Sequence, residues 1–142
     1  YNCDVSRNNS VAWARNENAT HLLQIDSDIA AARDSVTRIL DLGEPFCSGA
    51  YLRRDASCWE LFNNRTALTE LPTEPFWVEE AGAGFYLIEL SALDSVPQPY
   101  YWNTYTDPDK FSQSEDRYFC KKILAHGYHT RVDPHIQLTH LD

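Results

Sequence analysis

The feature that most limits what this chain can fold into is an apolar run that ends abruptly in charge. Leu22, Leu23 and Ile25 are followed at once by Asp26-Ser27-Asp28. A run this short reads as a buried strand, and carboxylates at its carboxyl end mark where an α/β sheet opens to a ligand. Alternate residues of an extended chain point the same way, so strand geometry carried through the tip sets Asp26 and Asp28 roughly 7 Å apart on one side. Two hard oxygen ligands so placed suit Mg²⁺ or Mn²⁺, which can in turn hold a phosphate. Asp and Ser are also ordinary turn residues, so the same letters fit a strand simply running into a loop.

The 142 residues are the length of one domain, and 43% hydrophobic residues, 13% of the chain aromatic, suffice for a single core. Twelve basic against 21 acidic residues give a net charge of -9, which repels a phosphate backbone and argues against a nucleic-acid partner. Cys3, Cys47, Cys58 and Cys120 are widely spaced and form no CxxC pair. They read as buried free thiols in a reducing compartment, hence a cytoplasmic protein. Sequons begin at Asn8, Asn18 and Asn64, but in an Asn-rich chain without a signal peptide they read as accidental. No apolar run approaches the roughly 20 residues of a membrane span. The chain lacks methionine and opens on Tyr1, which suggests a longer product.

Around the acidic run, the pattern predicts a helix over 6–18, capped by Ser6 or Asn9, and another over 30–42, stopped by Gly43 and Pro45. A strand follows over 45–52, then a turn-rich hairpin or irregular excursion over 53–75. Strands at 76–80 and 85–90 are divided by Ala81-Gly82-Ala83-Gly84. The segment 91–113 is crowded with Tyr100, Tyr101, Trp102, Tyr105, Pro108 and Phe111, fit either to cover the core or to stack on a ligand. Ser112 and Glu115 form a capping box for a last helix burying Phe119, Cys120, Ile123 and Leu124, with Lys121 and Lys122 in water and Gly127 at its end. Two short strands, 129–132 and 136–141, close the chain. Trp77 lies in an apolar run and reads as core.

Taken in order, these pieces resemble the GT-A class of glycosyltransferases, in particular small phage, viral and bacterial members. The matching residues are Arg7-Asn8, the Asp26-Ser27-Asp28 or DxD motif, Cys47-Ser48-Gly49-Ala50-Tyr51 followed by Arg53-Arg54, and Glu80-Ala81-Gly82-Ala83-Gly84-Phe85. After these come Ser114-Glu115-Asp116-Arg117 and Leu138-Thr139-His140. The resemblance implies an α/β fold, a mixed sheet flanked by helices. A single helix precedes the DxD strand where the family has a β-α-β unit, so part of the N-terminal nucleotide-binding half is expected to be missing. A homo-oligomer partner or a further N-terminal segment would then complete the nucleotide pocket.

The activity implied is transfer of a sugar, with inversion, from a nucleotide-diphosphate donor to an acceptor hydroxyl on a carbohydrate. Asp26 and Asp28, completed by His140, would seat the Mn²⁺ or Mg²⁺ that offsets charge on the departing diphosphate. Asp116, with Glu115 beside it, matches the family's catalytic base, in a first helical turn whose dipole favours negative charge. Arg7, Ser27, Gly49, Arg53, Gly82, Gly84 and Trp102 would bind donor or acceptor: arginines at the diphosphate, glycines beneath the sugar, Trp102 on a sugar face. Arg54 is a further candidate for the diphosphate. Two other readings use the same residues. A haloacid-dehalogenase-like phosphatase also places Asp-x-Asp after an apolar strand, though Ala30 stands where such enzymes have Thr or Val. A noncatalytic carbohydrate-binding or structural remnant is the third.

Overall fold

The computed structural model describes residues 2–107 and 110–141. In chain order these form α1 (Cys3–Asn16), β1 (His21–Ile25), β2 (Ile29–Ala31), α2 (Ser35–Asp41), β3 (Phe46–Ala50), β4 (Leu61–Asn63), β5 (Thr66–Ala67) and β6 (Phe76–Val78). There follow β7 (Glu80–Ala81), β8 (Phe85–Glu89), a 3₁₀ turn (Leu90–Ser95), β9 (Thr104–Asp107), β10 (Lys110–Gln113), α3 (Glu115–Ala125) and β11 (Thr130–His140). The architecture is mixed α/β. Its main sheet runs β1-β8-β3-β11-β2, with β6 also on β11. Only β3 and β11 pair in parallel among the described strands. No described helix is long and apolar enough to cross a membrane.

Side-chain parity along the inner strands sorts the core into two layers. On β8, Tyr86 and Ile88 join Phe46 of β3 in one cluster, while Phe85 and Leu87 join Cys47 in the other. The first cluster is closed by Val11 and Ala14 of α1 and by Phe119, Cys120 and Ile123 of α3; the second is closed by Ile39 of α2 and Ile136 of β11. Helices on both faces explain why every residue of β3 is buried, as in a strand with no solvent side.

Several expectations change. β1 pairs only with β8 among the described strands, so the apolar run before the aspartates is an edge strand. Leu22 and Leu23 are half-buried, Ile25 is 49% exposed, and the buried member is Gln24, whose Oε1 accepts from the Tyr101 hydroxyl at 2.8 Å. A run of three apolar residues gives no sign of which edge will lack a neighbour. The helix expected over 30–42 shrinks to α2 because residues 29–31 pair with the end of β11 instead, leaving Val36 and Leu40 exposed. The two closing strands are one, β11. Its register breaks between Asp133 and Gln137, where Pro134 cannot donate and Asp133 Oδ1 accepts the His135 N–H at 2.8 Å.

The expected capping box rests on the Ser112 side chain, which lies outside the described residues. The residue before α3 is Ser114, with no side-chain cap bond, and Glu115 turns to another partner. Helix α1 begins earlier than predicted, at Cys3. The 53–75 excursion does contain a hairpin, β4 and β5, turned by Asn64 and Arg65 with φ of 49° and 63°. Trp77 is 45% exposed, its ring 4.9 Å from the Arg131 guanidinium carbon. In the aromatic segment, Tyr100 and Tyr101 are core, and Tyr101 stacks on Phe119 at 4.6 Å. Pro108 lies outside the described residues, as do the side chains of Tyr105, Phe111 and Ser112. The Asn8 side chain is engaged at both ends, by the Tyr101 carbonyl and by the Tyr100 and Tyr101 N–H groups, which leaves that sequon no free amide.

All four cysteines are free; Cys47 and Cys120 are buried, Cys3 and Cys58 half-buried. Burial pushes the Cys47 thiol up to about 11 and the Cys120 thiol up to about 12, from 9.0. Both stay protonated in the folded chain at pH values where an unfolded thiol ionises. The stability they contribute is therefore whole below about pH 9 and falls as pH rises toward 12, at about 1.4 kcal/mol per group per pH unit. Urea unfolding across that range measures the slope, and Ellman's reagent at neutral pH is expected to spare Cys47 and Cys120 until the chain unfolds. Gly49 sits inside the core: a Cβ there would lie 2.4 Å from Leu138 Cδ1 and 3.3 Å from Phe85 Cδ1. Gly49→Ala is expected to cost about 1–3 kcal/mol in the same unfolding measurement.

Candidate functional site

Because β1 and β3 each run antiparallel to β8, and β11 runs parallel to β3, the carboxyl ends of β1, β3 and β11 emerge at one edge of the sheet. Asp26 and Asp28 follow β1, Tyr51 follows β3, and β11 ends on His140. This gathering is a property of strand direction, and it sets the site at the place where open α/β sheets bind ligands. The first turn of α3 adds Glu115 and Asp116, and α1 adds Arg7.

The acidic run is a tight turn. Asp26 N–H bonds the Gly84 carbonyl at 3.0 Å, continuing the β1 ladder by one residue, and Ile29 N–H closes back on the Asp26 carbonyl at 3.1 Å. Asp26 and Asp28 thus reach the cleft from a turn, and the alternation of an extended strand does not apply to them. Arg7 reaches across from α1. Its Nη2 donates to Asp26 Oδ1 at 2.8 Å and its Nε to Glu115 Oε1 at 3.1 Å. Burial opposes the Arg7 charge, but the Asp26 and Glu115 carboxylates more than offset it and hold the guanidinium above its usual range. Arg54 makes the matching contact on the other side, donating from Nη2 to Asp28 Oδ2.

Two clefts meet here. One, about 760 Å³, is lined by Arg7, Asp26, Ser27, Asp28 and Glu115 among others. The second, about 660 Å³, is lined by Tyr51, Arg53, Phe62, Gly82, Arg117 and His140 among others. Arg54 and Asp116 line both. Asp116 is held firmly: Oδ1 accepts from the Ser114 hydroxyl and, at 2.8 Å, from the Arg117 N–H, while Oδ2 accepts from Ala83 N–H at 3.4 Å.

Tyr51 is the residue that the sequence left without a role. Its buried hydroxyl accepts from Gly84 N–H at 3.0 Å, and its ring end occupies the space that a Cβ on Gly82 or Gly84 would need, at 2.3 and 2.8 Å. The two glycines therefore admit a tyrosine, and Gly82 also lines the second cleft. Burial, with Asp116 and Asp26 nearby, pushes the Tyr51 phenol up and keeps it neutral. No residue pattern distinguishes a glycine that faces ligand from one that faces an aromatic ring.

The remaining expected residues divide. His140 lies edge-on to Tyr51 at 5.1 Å and donates from Nδ1 to the Leu52 carbonyl at 2.9 Å, so Nε2 is the nitrogen open to a ligand. It lines the second cleft, the aspartates the first; among the described residues no three His, Cys, Asp or Glu side chains converge to hold a metal ion. Arg53 pairs with Glu60 at 2.8 Å on the second cleft. Gly49 is in the core, and Trp102, 52% exposed, belongs to a separate hollow with Asn2 and Asp4. Asp26 and Asp28, each paired with an arginine, are the two carboxylates that could hold a divalent cation. Asp26 Oδ2 and Asp28 Oδ1 make no hydrogen bond among the described residues, and Mg²⁺ commonly binds through two carboxylates plus phosphate and water.

The Arg7 and Glu115 side chains are 13% and 12% exposed, so removing the guanidinium strands a nearly buried carboxylate. Arg7→Met is expected to cost about 3 kcal/mol by urea unfolding, and pairing it with Glu115→Gln to recover part of that loss in a double-mutant cycle.

No protein-family model matches this chain, and no curated protein matches it. Among solved structures, the crystal structure of A197 from STIV aligns with it at a TM-score of 0.75 and 17% sequence identity, over 99% of this chain and 68% of that one. The two proteins share a fold.

Proposed function

We propose that this chain is a divalent-cation-dependent glycosyltransferase of GT-A type, moving a sugar from a nucleotide-diphosphate donor to an acceptor hydroxyl with inversion. The observation that carries the reading is the position of Asp116: a carboxylate clamped by three donors at the junction of two clefts, one of which holds the Asp26-Ser27-Asp28 turn. An inverting displacement needs a base beside the acceptor hydroxyl, on the far side of the sugar from the leaving group, and a carboxylate lining both clefts is within reach of that place.

In this reading the cleft of Asp26 and Asp28 takes the donor and the arginine-lined cleft takes the acceptor. Asp26 and Asp28 would hold the cation, which would offset the charge on the leaving diphosphate. Asp116 accepts the proton of the acceptor hydroxyl; the oxygen bonds to the anomeric carbon as the bond to the diphosphate oxygen breaks, and that oxygen leaves with the electron pair. Arg7 keeps Asp26 in position, and Tyr51, neutral, shapes the floor between the clefts.

Titration calorimetry with nucleotides and nucleotide sugars, with and without Mn²⁺, is expected to give metal-dependent binding that Asp28→Ala abolishes. Asp116→Asn is expected to retain that binding and to lower transfer by about 10²–10⁴-fold. Binding that ignores the metal, or full turnover in Asp116→Asn, overturns the proposal.

A further inference from the structure

The second cleft carries a feature that sugar transfer as such does not require. Arg53, from the loop after β3, and Arg117, from α3, lie against the same ring: their guanidinium carbons are 5.6 and 4.7 Å from the Phe62 centroid. Each is also held through Nε by its own carboxylate, Arg53 by Glu60 at 2.8 Å and Arg117 by the buried Glu80 at 2.5 Å. An aromatic face and a carboxylate on Nε fix the plane of each group, while their terminal nitrogens make no hydrogen bond among the described residues. Both side chains line the 660 Å³ cleft.

The cleft is not simply cationic. Arg53, Arg54 and Arg117 on its wall are matched by Asp55, Glu60 and Asp116. But each carboxylate is already engaged: Glu60 by Arg53, Asp116 by Ser114 and the Arg117 N–H, Asp55 by the Ser57 hydroxyl at 2.6 Å and N–H at 3.0 Å. What the wall still offers is a pair of oriented donor forks. Guanidinium forks match the oxygens of a carboxylate or phosphate bidentately, and two fixed in advance lose little entropy on binding. A neutral hydroxyl cannot accept from such a fork in the same way.

We infer that this cleft binds a saccharide bearing an oxyanion, a carboxylate or a phosphate monoester, through Arg53 and Arg117. As an assignment of the acceptor class it rests on the transferase reading; as a binding site it does not.

The test is calorimetric titration of the whole chain, without nucleotide or metal, using glucuronate, glucose 6-phosphate and glucose. At least one acid is expected to bind about tenfold or more tightly than glucose, and the tighter acid identifies which oxyanion the forks prefer. Arg53→Lys and Arg117→Lys keep a charge for Glu60 and Glu80 but lack the fork, and each is expected to weaken the acid about tenfold while leaving glucose unchanged. Circular dichroism checks folding; should Arg117→Lys unfold, Arg53→Lys, whose ion pair is at the surface, decides alone. Equal affinity for glucose, no binding of either acid, or an undiminished preference in the folded variants overturns the inference. With donor and metal absent from the cell, failure here leaves the transferase reading standing, and failure of nucleotide binding leaves this site standing.

Discussion

The arrangement depends first on Arg7. One guanidinium on α1 binds a carboxylate from the turn after β1 and another from the first turn of α3, joining three elements far apart in sequence. Without that cation, Asp26 and Glu115 would bring two negative charges to one wall with nothing between them, and Glu115 is almost buried. The penalty for stranding such a charge is several times the value of a surface ion pair. Arg54 and Asp28 repeat the motif at the solvent side, where Arg54 is far more exposed than Arg7 and the pair is correspondingly weaker. The site is thus anchored on its inner wall and loose at its mouth.

Packing does the rest. The alternation of β8 delivers large side chains to both faces of the sheet, so helices must cover both, and α3 is thereby pinned with its first turn beside the β1 turn. The stacked Tyr101 and Phe119 rings and the edge contacts of Phe46 and Tyr86 with Phe119 fix α3 against the sheet. Asp116 owes its position to that aromatic packing as much as to its own hydrogen bonds.

Much of this was legible in the residues. The abrupt end of the apolar run at Asp26 located the end of β1, the apolar stripe of Phe119, Cys120 and Ile123 located α3, and Gly127, with φ of 88°, ended it as its position implied. What failed were inferences about neighbours. Whether β1 is central or at an edge, whether residues 29–31 extend a helix or pair with β11, and whether Trp77 is covered are decided by elements distant in sequence, and local period carries no information on them. The glycines are the sharpest case. Gly49, Gly82 and Gly84 announce close approach, and each has it, to Leu138 or to Tyr51, two neighbours that no local pattern names.

The break in β11 at Pro134 has one more effect. Beyond it, the strand leaves β6 and finishes against β2, pairing His140 with Ile29, and the next N–H, on Leu141, bonds the Asp28 carbonyl at 2.7 Å. The histidine at the end of the chain is therefore laced to the acidic turn by main-chain bonds alone. The turn that carries Asp28 and the strand end that carries His140 thus share one backbone network, and the walls of the two hollows share one support.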